Sequence, residues 1–265
     1  MSVFQTGPQS FRWRELLSRS KKNPKDYLAL ALDNVQTTDE ISRLVDATVS
    51  SVGVYKVGLE QYVRFGPIIF ELVRNKGASI FLDLKLHDIP NTVSKAVGAA
   101  AGHEVDFLTV HTSGGRHMLE AAAEAAAKCS RPPKLLGVTV LTSIDADIMR
   151  SDLLLDMPPS LYVRHLADLG KRCGLDGIVC SADDLSVLKD VLGSSMEIVT
   201  PGIRRSCDST GDQKRCATPT TAIKNGATML VIGRPISLAE DPGFAAADFH
   251  AEISRALTLD DDADD

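Results

Sequence analysis

The chain lacks any cysteine pair in a CxxC arrangement, and its five cysteines, Cys129, Cys173, Cys180, Cys207 and Cys216, are odd in number. That pattern excludes a disulfide framework and a thiolate zinc site, and it fits reduced thiols in a cytoplasmic protein. No apolar run reaches membrane-spanning length, so no membrane partner is expected. The first residues, "MSVFQTGPQSFRWRELLSRSKKNPKDY", lack the apolar block of a signal peptide. Positive charge is not in excess, with 29 lysines and arginines against 35 aspartates and glutamates. The formal net charge is −6, with five aspartates packed into the tail "LDDDADD". The rest of the chain is nearly neutral, and no nucleic-acid field is expected. Domain linkers and trustworthy sequence repeats are absent as well.

What is present is an ordinary globular balance, 44% hydrophobic and 24% charged over 265 residues. Eight short apolar runs recur: Leu28–Leu32, Gly53–Val57, Ser79–Lys85, Phe107–Val110, Leu135–Val140, Gly177–Cys180, Glu197–Thr200 and Met229–Ile232. Helical patterns such as Asp39–Ser50, Thr92–Gly102, Gly115–Lys128, Leu161–Cys173 and Asp184–Leu192 separate them. Asp39 and Asp183 read as helix-start signals. This alternation indicates parallel βαβ units, and eight units match an α/β, single-domain (β/α)₈ TIM barrel. A doubly wound open sheet is the alternative, because periodicity does not show closure. The expected organisation is an N-terminal arm at 1–25, with a short helix near Ser10–Arg19. A barrel at 26–257 and an acidic, disordered tail at 258–265 follow.

Side chains alternate faces along a strand. In "SIFLDLK", Ile80, Leu82 and Leu84 share the face expected to pack on helices, while Asp83 and Lys85 share the other. Asp33 ends the first run, and Lys56 lies near the end of the second. Asp33, Lys56, Asp83 and Lys85 therefore converge on the rim where barrel enzymes build their sites. A stabilising ion-pair cluster is the structural alternative. Lys85 between carboxylates should stay protonated, which suits proton donation to a carbanion and not Schiff-base formation.

The later strand ends differ. "TPGIRRS" follows the seventh run, then the polar loop Cys207–Pro219, and "VIGRPIS" follows the eighth. Loops after strands seven and eight commonly hold phosphate. Gly233 would allow close backbone approach and Arg234 a two-pronged donor. A tight turn with a solvated arginine is the plainer reading. The loop around Gln213 reads as a mobile lid or as a disordered surface loop. His87 is expected to orient a neighbour. His111 fits a core contact as well as a site role, and Thr142 and Ser143 could bond a heterocycle or make turn contacts.

Together, "DLKLHDIPNT" at Asp83–Thr92, "LALALD", "YKVG", "TVLTS", "TPGIR", "GDQ" and "IGRPI" resemble the orotidine 5′-phosphate decarboxylase family in its bacterial-type form. The similarity runs from about Tyr27 to Leu257. It implies decarboxylation of orotidine 5′-monophosphate to uridine 5′-monophosphate, the last step of pyrimidine synthesis de novo, with no metal and no organic cofactor. It implies that Lys85 protonates the C6 carbanion beside Asp83, and that Asp33 and Lys56 hold ribose hydroxyls. Asp88 and Thr92 would reach the partner's site in a homodimer with shared active sites. Thr142, with or without Ser143, would contact the pyrimidine. Arg204, Gln213, Gly233 and Arg234 would serve the phosphate. Two rivals remain. Magnesium-dependent sugar-phosphate decarboxylases share the spacing of Asp83, Lys85 and Asp88, and a non-catalytic nucleotide-binding module could keep the phosphate end alone.

Overall fold

The computed structural model describes residues 22–193, 195–205 and 217–261. Eight parallel strands close on themselves in sequence order. They are β1 (Leu28–Ala31), β2 (Val54–Gly58), β3 (Ser79–Leu86), β4 (Phe107–His111), β5 (Lys134–Val138), β6 (Gly177–Val179), β7 (Glu197–Pro201) and β8 (Met229–Ile232). Closure is direct, since β1 pairs with both β2 and β8. The open-sheet alternative is thereby set aside. Each apolar run became one strand, with ends shifted by no more than two residues.

Parallel sheets of this kind bury both faces, which explains the runs' nearly unbroken apolar character. Ala29, Ala31, Val54, Phe81, Phe107, Leu136, Val199, Met229 and Val231 fill the barrel interior. Leu28, Leu30, Leu32, Tyr55, Val57, Ile80 and Leu82 face the opposite way, into the layer shared with the helices. The alternation expected for β1 therefore holds, and that for β3 holds up to Asp83, beyond which the pairing with β4 becomes irregular. Burying a leucine, isoleucine or phenylalanine fully contributes about 1.5–3 kcal/mol.

The helix Thr38–Thr48 starts with a capping box: Thr37 accepts from the Glu40 N–H, and Glu40 accepts from the Thr37 N–H. Thr37 is thus the cap, and Asp39 lies in the first turn. Asp183 falls in a short 3₁₀ turn, Ala182–Asp184, and Asp184 occupies the N-cap position of the helix Leu185–Leu192 without a side-chain capping bond. Pro90 opens the helix Pro90–Gly102 at a position where no N–H is needed. The last helix, Pro242–Asp261, runs over the first acidic residues of the C-terminal segment.

The base of the barrel is tied by a recurring device. The side chain just before each of β4, β6 and β8 accepts an N–H of the preceding strand. Asp106 accepts from Ile80, Asp176 from Leu135 and Thr228 from Ile198. At the same end Glu197 receives Lys22 at 3.0 Å, Lys134 at 2.9 Å and the Thr228 hydroxyl at 2.6 Å. These three partners hold its carboxyl down at about 2, although burial alone would raise it.

Candidate active site

The strands' carboxyl ends open into a cavity of about 560 Å³. Its lining includes Asp33, Lys56, Asp83 and Lys85 on one side and Arg204, Gly233 and Arg234 among the later strand ends. Thr142 also lines it. Each residue arrives by strand parity or by the turn that follows. Val54 fills the interior of β2, so Lys56, two residues on, also points inward. Phe81 and Asp83 repeat this on β3.

The four charges form an alternating chain. Lys56 Nζ lies 3.4 Å from Asp33 Oδ1 and 3.5 Å from Asp83 Oδ2. Lys85 Nζ lies 2.8 Å from the same Asp83 oxygen. The other Asp83 oxygen accepts the Thr109 hydroxyl at 2.9 Å. Burial favours the neutral carboxyl of Asp83, but Lys56, then Lys85, then the hydrogen bonds outweigh it and lower its pKa. Asp83 therefore remains an anion with both oxygens engaged. Asp33, at the mouth, keeps 45% of its side chain exposed.

Gly58, the last residue of "YKVG", leaves room for this arrangement. A Cβ there would stand 3.1 Å from Asp33 Oδ1 and 3.2 Å from Lys56 Nζ, crowding the pair. At Gly233 a Cβ would meet only Ala31 Cβ, at 3.6 Å. The space beside Gly233 is thus open cavity, as close backbone approach by a ligand requires. Arg204 is buried, and its guanidinium donates to the Ile203 carbonyl at 2.8 Å.

Other expected residues are placed differently. Asp88 and Thr92 are exposed and do not line this chain's cavity. The Asp88 carboxylate accepts the Ile89 N–H at 2.6 Å. Ser143 is exposed and absent from the lining, so Thr142 is the hydroxyl that faces the cavity. His87 and His111 pack ring to ring at 5.4 Å outside the lining. Burial, and then the neighbouring His87 and Lys85, push the His111 pKa down. Gln213 lies outside the described residues.

Sequence reasoning missed Asn34, Ser181 and Gly202, which all line the cavity. Asn34 has φ 68° and Gly202 φ 79°, so both sit in tight left-handed turns beside strand ends. An asparagine or glycine just after a strand was the available signal. Thr109 was missed too, because its side chain is wholly buried and only the folded register brings it to Asp83.

A closed eight-stranded parallel barrel with converging charges at its carboxyl rim defines the class as a (β/α)₈-barrel enzyme. Residues 26–249 match the orotidine 5′-phosphate decarboxylase / HUMPS family, and the chain belongs to that family. It is 44% identical over 238 residues to the orotidine 5′-phosphate decarboxylase of Nostoc sp., covering 88% of this chain and 98% of that protein. It is 41% identical over 238 residues to the one from Moorella thermoacetica, covering 88% and 94%. The crystal structure of orotidine 5′-phosphate decarboxylase from Lactobacillus acidophilus superposes with a TM-score of 0.75 at 34% identity, covering 85% of this chain and 98% of that one.

Proposed function

We propose that this protein decarboxylates orotidine 5′-monophosphate to uridine 5′-monophosphate and carbon dioxide, in pyrimidine biosynthesis. The observation that carries the reading is the Asp33–Lys56–Asp83–Lys85 chain facing a cavity that also holds Arg234 and Gly233. The names borne by relatives at 41–44% identity agree with it.

The bond from C6 to the carboxyl carbon breaks, carbon dioxide leaves, and the electron pair stays on C6. That carbanion has little delocalisation, so a nearby cation must stabilise it. The Lys85 ammonium supplies this charge and then donates its proton to C6. Asp83, held anionic, faces the departing carboxylate and favours its expulsion, and it also keeps Lys85 in place. Asp33 and Lys56 receive the ribose hydroxyls, and Thr142 the pyrimidine. Arg204, Gln213, Gly233 and Arg234 take the phosphate, whose binding energy is spent away from the reacting carbon.

The reaction so written needs no metal or organic cofactor. The magnesium-dependent alternative fits less well, because Asp83 Oδ2 already lies beside two ammonium groups, an unfavourable seat for a divalent cation. The functional unit is taken as a homodimer in which Asp88 and Thr92 complete the partner's site. Two observations support this. Both residues lie outside their own chain's cavity, and the apolar side chains Val63 and Ile89 stand exposed after β2 and β3. The barrel, taken as residues 26–257, is the catalytic unit. Among the described residues no helix is long and apolar enough to cross a membrane, and a cytoplasmic location is our reading of the unpaired cysteines. No nucleic-acid partner is proposed, given the acidic balance of the chain.

Turnover of orotidine 5′-monophosphate in D₂O tests the reaction. The expected product is uridine 5′-monophosphate carrying deuterium at C6, with one carbon dioxide released per turnover. Absence of uridine 5′-monophosphate overturns the reading.

A further inference from the structure

Strand β3 does not continue regularly to its end. It pairs with β4 through Phe81 to Phe107 and Leu82 to Leu108, and then through Leu86 to Val110. Four steps along β3 thus match two along β4, and the two extra residues fall within the segment carrying Asp83 and Lys85. Lys85 has φ 50°, a left-handed conformation that a bulky side chain rarely adopts and that the surroundings must enforce. Thr109 lies between the two paired positions of β4, opposite this bulge. Its hydroxyl accepts the Lys85 backbone N–H at 2.8 Å and donates its single proton to Asp83 Oδ1 at 2.9 Å. The side chain is wholly buried and does not line the cavity.

We propose that Thr109 is the positioning residue for the reacting pair: one hydroxyl pins the backbone of Lys85 and the carboxylate of Asp83, fixing the bulge that brings both into the cavity. The polarity is set by chemistry, because an ionised carboxylate can only accept, so the hydroxyl's remaining lone pair faces the N–H. Thr109 also holds the Asp83 oxygen that neither lysine approaches, leaving Oδ2 for the two ammonium groups. Without the hydroxyl, the Lys85 N–H and Asp83 Oδ1 each lose a partner in a buried setting, and nothing opposite the bulge enforces the left-handed turn. The proposal takes Asp83 and Lys85 as the reacting pair, and so rests on the decarboxylase reading.

Thr109→Val keeps the side-chain shape and removes the hydroxyl, while Thr109→Ser keeps the hydroxyl. With orotidine 5′-monophosphate, Thr109→Val should lower kcat by on the order of a hundredfold, as small misplacements of reacting groups do. Its KM should change by less than about threefold, because the ribose and phosphate contacts are untouched, and Thr109→Ser should recover most of the kcat. A crystal structure of Thr109→Val should show Lys85 out of the left-handed region, with its contact to Asp83 lengthened. A near-normal kcat, or failure of serine to rescue, overturns the proposal, as does an unchanged Lys85 conformation. Should the valine variant not fold, Thr109→Ala is read by the same measurements. If the wild-type protein does not turn over orotidine 5′-monophosphate, the functional reading fails, and the crystal structure still decides whether Thr109 holds Lys85.

Discussion

Lys85 and Asp83 belong to one strand, two residues apart, and their charged groups meet at 2.8 Å inside the barrel. The ammonium is brought to the carboxylate with Lys85 in a left-handed conformation. The pair does not stand alone. Lys56 reaches the same oxygen from β2, so two cations compensate one buried anion. An unpaired carboxylate at that depth would be strongly disfavoured.

The phosphate assignment of Arg234 predicts a substrate-dependent loss. Arg234→Ala should lower kcat/KM for orotidine 5′-monophosphate by about 10- to 150-fold, the equivalent of about 1.5–3 kcal/mol for one charge-assisted contact. The loss for the nucleoside orotidine should be small, since it offers no phosphate to grip. Steady-state kinetics on both substrates checks this, and equal losses would make Arg234 a structural residue.

Shared sites predict complementation between inactive proteins. Lys85→Ala and Asp88→Ala subunits, mixed equally and allowed to exchange, should form about half hybrids, so about a quarter of all sites regain both groups. Activity of the mixture should rise accordingly, with subunit exchange followed by native mass spectrometry. If hybrids form without recovery, Asp88 acts within its own chain or has no role.

Glu197 predicts an acid-side loss of stability. Its folded pKa is about 2, against an ordinary 4.5. Its contribution is therefore complete above about pH 4.5 and disappears as the pH falls towards 2. The full linkage term is on the order of 3 kcal/mol. Glu197→Gln should lower the melting temperature at pH 7, and the gap from wild type should narrow between pH 4.5 and 3. A gap independent of pH would show that the carboxylate's charge is not what ties the barrel base.

The barrel was legible in the sequence because each strand is buried on both faces and each intervening helix on one. Leu28, Leu30 and Leu32 against Ala29 and Ala31 is that rule written in five residues. The charges at Asp33 and Asp83 followed from parity, and Lys56 from its place at the end of its run. Lys85 also reached the cavity, but through a bulge that a regular alternation does not contain. Thr109 could not be found this way, because its partners come from another strand 24 and 26 residues away. The strand-base bonds of Asp106, Asp176 and Thr228 were invisible for the same reason: they depend on register. The cap at Thr37 was displaced from Asp39 by Glu40, whose carboxylate completes a reciprocal pair with the threonine.

The central claim is that Lys85, without a metal, protonates the carbon left by carbon dioxide. The most direct measurement follows the absorbance of orotidine 5′-monophosphate in the presence of EDTA, with wild-type protein and with Lys85→Ala. The account predicts full wild-type turnover in EDTA, and a loss in the variant of at least about a hundred- to ten-thousandfold, the span of general acid catalysis. The folded state of the variant is to be confirmed by an unchanged circular dichroism spectrum. Inactivation by the chelator, or a variant retaining most of the wild-type kcat, would contradict it.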